Sequence, residues 1–211
     1  MTPDARPASD PVATYLTAAR GFVELVSLVQ ERDLSGPGLG EWDLRSLVGH
    51  ASRSIVTVQE YLDRPAPTVE IDRAADYVVW AGRVAAAGTL DPADIVARGV
   101  AAGAALGDDL PASVRRLVDE VTARLDAVAG DPVITTIAGG MRLSDYLPTR
   151  VFELVVHGLD IVRATGVAWE PHPDALTVAL EVAVEANVSR GEGAALLLAL
   201  TGREGTVASV V

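Results

Sequence analysis

The chain has 211 residues, a net charge of −12, no cysteine, and 17 basic residues that are all arginine. These counts exclude a disulfide, a protein thiol nucleophile, a thiolate metal site, and any chemistry built on a Schiff-base or phosphate-loop lysine. The acidic balance would repel phosphate backbones and anionic bilayers, so neither nucleic acid nor a membrane surface is an expected partner.

About half of the residues are apolar, which is enough for one core, and the expected organisation is a single domain over 1–211. Its bundle core should cover about 10–166, with a C-terminal extension over 167–211. The runs "GVAAGAALG" and "GAALLLAL" fall short of the ~20 residues of a membrane span, and "MTPDARPASDP" has no hydrophobic signal core. A cytoplasmic location is therefore expected.

From Pro11 to Arg32 the apolar residues Tyr15, Leu16, Ala19, Phe22, Val23, Val26 and Val29 recur at three and four, the helical period. Asp10 should cap this helix, with Pro11 at its first position. "SGPGLGEW" then breaks the chain. A second helix is expected from Asp43 as N-cap to about Asp63, its stripe formed by Leu44, Leu47, Val48, Ala51, Ile55, Val58 and Leu62. "YVVWAGRVAAAG" and "PADIVARGVAAGAAL" read as Gly-punctuated helices, and 111–128 as an amphipathic helix opened by Pro111. "DPVITTIAGGMRL" is β-branched and ends in Gly-Gly, which suits a short extended excursion or hairpin. Ser144 should cap a helix over about 145–164 that stops at Gly166. A last helix is expected over about 173–190, followed by an apolar tail of either helix or strand. The pattern predicts a mainly α protein, a four-helix bundle with additional short helices and a short extended segment.

The helix over 145–164 is apolar on most sides yet carries Glu153 and His157 in its middle. Stepping about 100° per residue from Leu147, the core stripe covers roughly 320° to 80°, with Glu153 near 240° and His157 near 280°. The two side chains are neighbours one turn apart, able to reach one point. On the second helix His50 also falls at the edge of its stripe, near about 240° when Leu44 is placed at zero. Edges of facing stripes meet around the centre of a bundle, where such folds build metal sites. Two imidazoles and a carboxylate match a catalytic zinc site with an open position and equally the facial triad of non-haem iron. An E-x-x-x-H pair also suits a plain intrahelical ion pair worth a few tenths of a kcal/mol, and spacing alone leaves both readings open.

Arg53, Arg150 and Arg163 could hold an anionic substrate by bidentate pairing, or form ordinary ion pairs with some of the 29 acids. His172, between two prolines, reads as a solvated loop residue. Ser46, Ser52 and Ser54 lie near His50 without the elbow motif of a nucleophilic serine.

Three stretches, "GEWDLRSLVGHASR" (40–53), "RVFELVVHGLDIVRATG" (150–166) and "LLLALTGR" (196–203), carry a family resemblance. The sequence resembles the mycothiol-dependent maleylpyruvate isomerase family, a branch of the DinB-like helical bundles. The resemblance implies a divalent metal, most often zinc, with iron, nickel or manganese as alternatives, held by His50, Glu153 and His157. It implies mycothiol as the thiol cosubstrate and a small electrophile as substrate; Arg53 and Arg150 are expected on the substrate side from their own bidentate chemistry. In the family's named reaction the thiolate adds to maleylpyruvate, the new single bond rotates, and the thiolate leaves. The isomerase proper carries a second, small α/β domain, whereas only about 45 residues follow Gly166 here. Relatives with this bundle also include thiol S-transferases. A non-catalytic metal-binding or stress-response bundle, a homodimer formed through the apolar "AALLLALTG" tail, and an Fe(II)-dependent oxidative enzyme are the alternatives.

Overall fold

A computed structural model describes residues 10–87 and 91–203. Helix α1 (Pro11–Val29) opens on Asp10, whose carboxylate accepts from the Val12 amide at 2.9 Å, with Pro11 in the first turn. It ends three residues before Arg32, because the chain turns there and the Arg32 amide donates to the Val29 carbonyl. By length and composition alone α1 is apolar enough to cross a membrane, but Tyr15, Ala19, Phe22, Leu25, Val26 and Val29 are sealed inside the bundle.

The break after α1 contains a small hairpin that periodicity did not reveal: β1 (Pro37–Leu39) pairs antiparallel with β2 (Trp42–Asp43). Gly40 turns it with φ 56°, and a Cβ on Gly38 would lie 2.5 Å from the Asp43 carbonyl oxygen. Asp43 then caps α2 (Leu44–Leu62) by accepting from the Ser46 amide at 2.7 Å. Helices α3 (Ala74–Ala86), α4 (Pro92–Ala105) and α5 (Leu110–Asp126) follow, the last two capped by Asp91 and Asp109. Strands β3 (Val133–Thr136) and β4 (Gly139–Arg142) form the expected hairpin, in register from Val133 opposite Arg142 to Thr136 opposite Gly139.

Helix α6 (Leu143–Thr165) starts earlier than expected and is not capped by Ser144. The hairpin brings Asp131 back to the helix start, where its carboxylate accepts from the Ser144 amide at 2.9 Å and the Ser144 hydroxyl at 2.7 Å. Gly166 stops α6 as expected, with φ 68° and its amide donating to the Val162 carbonyl at 2.8 Å. Helix α7 (Pro173–Ser189) follows, and the tail resolves into helix α8 (Gly193–Leu200).

Helices α1, α2, α5 and α6 form the four-helix core: α6 packs on α1 and α2, and α5 packs on the same two. Phe22, Leu25, Leu47, Ile55, Val121, Leu147, Leu154 and Ile161 fill it. Each such side chain contributes about 1.5–3 kcal/mol by leaving water. Helix α4 lies against the outside of α2, and glycine permits the approach: a Cβ on Gly103 would stand 2.6 Å from the Arg45 carbonyl oxygen. Gly99 likewise makes room for the Trp42 indole. Helix α7 buries Ala175, Ala179, Val182 and Ala186 and leaves Leu176, Leu180, Val184 and Val188 exposed, while α8 packs on α7 with Leu197, Leu198 and Leu200 outward.

Candidate metal centre

The pairing of α2 with α6 decides which polar side chains meet inside the bundle. His50 sits in the second turn of α2, and Glu153 and His157 stand one turn apart in the middle of α6. Each offers one ligand atom, and the three atoms lie within 4.8 Å of one another. His157 Nε2 is 3.2 Å from Glu153 Oε2, and the His50 and His157 rings meet edge to face with centroids 4.9 Å apart. The metal reading and the ion-pair reading of Glu153 and His157 are thus both present in the geometry, with His50 brought to the same point.

Two residues that the sequence reading left without a role hold these imidazoles. Asp160 Oδ2 lies 3.2 Å from His157 Nδ1, one turn further along α6. A carboxylate on the far nitrogen of a metal-binding histidine fixes its ring and tautomer. Its i+3 spacing from His157 was the available signal. Trp42 of β2 lies against the His50 ring, centroids 4.3 Å apart, while its own Nε1 donates to the Val96 carbonyl of α4 at 3.1 Å. His50 is therefore held between Trp42 and His157.

The electrostatics follow from burial and neighbours. Desolvation, aided by the charge of His157, pulls His50 down to about 4 despite the opposing Glu153. For His157, desolvation lowers the pKa, but the hydrogen bonds and charges of Asp160 and Glu153 outweigh it and hold the imidazole at about 9. Desolvation would raise Glu153, yet the His157 hydrogen bond and the charges of Arg150, His157 and His50 bring it to about 2. Without a cation the centre is thus an imidazolium between two carboxylates, beside a neutral imidazole.

Whether a metal fits can be tested on one atom. His50 Nδ1 is buried and meets no hydrogen-bond partner. A buried polar atom left in this state costs about 1–3 kcal/mol. Two converging imidazoles and a carboxylate, one of the imidazoles carrying that orphaned nitrogen, suit a borderline divalent ion such as zinc, with one position left open. The residues present fit the group.

Arg150 and Arg53 have different surroundings. Arg150 is 8 % exposed, with its guanidinium carbon 4.9 Å from the Tyr146 ring centre and 5.3 Å from that of Tyr77. Arg53, one turn beyond His50, is half-buried. Arg163 is exposed and leaves α6 on the side away from the triad. His172 is exposed as expected, and in addition it caps α7, its Nδ1 accepting from the Asp174 amide at 3.2 Å. Ser52 gives its hydroxyl to the Val48 carbonyl at 2.8 Å, so His50 does not activate it. A groove of about 520 Å³ between α1 and α5 is lined by Arg20, Glu24, Arg115, Asp119 and Asp126, and none of the triad borders it.

A family model described as the mycothiol maleylpyruvate isomerase N-terminal domain matches residues 15–162. That span runs from α1 through α6 and contains His50, Glu153 and His157, while α7 and α8 lie beyond it. No curated protein and no solved structure matched the chain.

Proposed function

We propose that this chain, which belongs to the mycothiol maleylpyruvate isomerase N-terminal domain family, is a metal-dependent enzyme that uses an external thiol against a small electrophile. The observation that supports it best is the convergence of ligand atoms from His50, Glu153 and His157 within 4.8 Å of one another, together with a His50 Nδ1 that is buried without a hydrogen-bond partner. These three residues would hold the ion, zinc first and iron, nickel or manganese after it. When bound, the metal lowers the pKa of a thiol brought to it, so that thiolate is present at neutral pH.

The chain's own residues do the rest. Asp160 keeps the proton on His157 Nδ1 and so leaves Nε2 to face the centre. Trp42, anchored by its Nε1 to the α4 backbone, covers one side of the His50 ring. Arg150 and Arg53 supply positive charge on the substrate side. With no cysteine in the chain, the thiol comes from solution, and mycothiol is the thiol the family points to. In the isomerase form of the reaction, the sulfur forms a C–S bond to one alkene carbon while the π electrons move toward the adjoining carbonyl. After rotation the same electrons re-form the double bond and the thiolate leaves, so nothing is oxidised or reduced and the thiol is regenerated. In the transferase form, the C–S bond is kept and a proton or leaving group balances it.

The test is metal analysis of chelator-free protein, followed by turnover assays with mycothiol and maleylpyruvate or other small electrophiles. Near one metal per chain with thiol-dependent turnover supports the proposal. One metal per chain without turnover favours the non-catalytic metal-binding bundle, and no bound metal refutes both.

A further inference from the structure

Among the described residues, the large apolar side chains left exposed gather on the two C-terminal helices. Leu176, Leu180, Val184 and Val188 stand four residues apart in one row along α7 and are 36 % to 61 % exposed. Stepping about 100° per residue from Leu176, the row lies between about 0° and 120°, whereas Ala175, Ala179, Val182 and Ala186, which α7 buries, lie between about 240° and 300°. Asn187, near about 20°, is buried where the chain turns into α8. Helix α8 starts against the end of the row, since a Cβ on Gly193 would stand 2.9 Å from Val188 Cγ2. Every residue of α8 is Gly, Ala or Leu, and none is buried. A helix apolar on all sides needs cover on more than the one side that α7 provides. Other exposed apolar side chains, such as Leu28, Val100 and Ile137, stand singly on separate elements, as on any protein surface.

The size and the order of this surface indicate a second copy of the chain as its cover. The row and the outward leucines of α8 expose roughly 600 Å² of apolar side chain, as much as the largest patch of a typical monomer. A stable pair takes about 800 Å² from each partner, so this surface and the atoms at its rim come close to one side of such an interface. The row reads Leu, Leu, Val, Val, and it fits itself when reversed. Around a two-fold axis midway between Leu180 and Val184, Leu176 meets Val188 of the second copy and Leu180 meets Val184, so each long side chain faces a short one. Rows of residues four apart interlock in this way when two helices cross at about 50°. An anionic bilayer does not suit the surface, because the chain carries a net charge of −12 and no lysine, and α8 is too short at eight residues to span.

We propose that the α7 row and α8 form a homodimer interface, in which α7 crosses α7 of a second copy antiparallel, about an axis between Leu180 and Val184. The apolar tail expected from the sequence thus supplies only part of the contact, and the α7 row supplies its centre. The proposal stands apart from the metal-centre reading, since none of His50, Glu153 and His157 takes part. Each copy carries a net charge of −12, so the apolar contact works against repulsion, and association should tighten as salt screens that repulsion.

Sedimentation velocity of the full chain in EDTA, from about 1 to about 100 μM and at low and high salt, tests this. The wild type should pass from monomer to dimer over that range, at least about threefold more tightly at high salt. Leu180→Glu and Val184→Arg each bury unpaired charges at the axis and should weaken the dimer by at least about a hundredfold, with far-UV circular dichroism unchanged because both positions are exposed in the single chain. Val100→Glu, at a lone exposed residue of α4, should leave the dissociation constant within about twofold. Mixing Leu180→Glu with Val184→Arg should restore a one-to-one pair, because the new carboxylate then faces the new guanidinium on one side of the axis while Leu180 faces Val184 on the other. A wild type that stays monomeric at about 100 μM overturns the proposal, as does a dimer that survives Leu180→Glu or is lost in Val100→Glu. Variants that fail to pair when mixed overturn the antiparallel register. Association that loosens with salt would put ion pairs at the contact, and capture by phosphatidylcholine vesicles in place of self-association would assign the surface to lipid; either result overturns the homodimer.

Discussion

Zinc binding should displace one proton per chain near neutral pH, and the number is set by three neighbouring groups. His50, held at about 4, and Glu153, held at about 2, are already free of protons at pH 6 to 8. His157, held at about 9 between Asp160 and Glu153, carries one. Its Nε2 must lose that proton before it can offer a lone pair to a metal. One proton displaced changes the dissociation constant by about tenfold per pH unit, so affinity should rise about a hundredfold between pH 6 and pH 8 and level off above about 9. Competition with a chromophoric chelator gives the slope, and calorimetry in two buffers of different ionisation enthalpy counts the protons. A slope near zero over this range would mean that His157 is neutral in the free protein. A slope near two would mean that His50 is also protonated, contrary to its desolvation. Asp160→Asn adds a second check. Removing that carboxylate should move the break in the profile to lower pH, while loosening the ring weakens the plateau affinity by about ten- to a hundredfold.

The remaining predictions concern the same centre and its supports. Glu153→Ala and His50→Ala should each weaken zinc binding by more than about a hundredfold, beyond the usual loss from an outer contact, with far-UV circular dichroism unchanged; affinity equal to wild type in both would end the metal assignment. Zinc at a thousand times its dissociation constant should stabilise the wild type by about 4 kcal/mol in urea unfolding, and Glu153→Ala should abolish the gain. In the metal-free chain the raised pKa of His157 adds stability that is complete below about pH 6.5 and lost as pH rises through about 9, whereas the lowered pKa of His50 removes stability as pH falls from about 6.5 to 4. The urea midpoint of chelated protein should therefore peak near pH 6 to 7, and a midpoint that climbs steadily toward pH 9 would contradict the His157 assignment. Gly103→Val should cost about 1–3 kcal/mol by forcing α4 away from the Arg45 backbone, and a loss under about 0.5 kcal/mol would show that the helices separate freely. Tyr146→Phe removes the 3.0 Å hydrogen bond from its hydroxyl to Thr57 Oγ1, at a cost of about 1 kcal/mol, while zinc affinity should stay within twofold because no ligand depends on that hydroxyl.

The parts of the fold legible in the sequence are those decided within one helix. A 3.6-residue period marks α1, α2, α5 and α6 because each buries one face in a common core, and Asp10, Asp43, Pro111 and Gly166 mark their ends because caps act locally. Glu153 and His157 were legible for the same reason, since one helix fixes both. Contacts made across space left no such trace. Asp131 caps α6 from 13 residues earlier only because the β3–β4 hairpin returns it there, and Trp42 reaches His50 only because β1 and β2 fold the break into a hairpin. Arg150 lies between these cases. Its place near 300°, at the edge of the core stripe of α6, puts it beside the core, and its neighbours at three and four residues are Tyr146, Leu147, Glu153 and Leu154. The single acid among them, Glu153, belongs to the group that could hold a metal ion. An arginine at the edge of a core stripe, packed against Tyr146 of its own helix and Tyr77 of α3, is set apart from a surface ion pair by burial, which charge counting does not register.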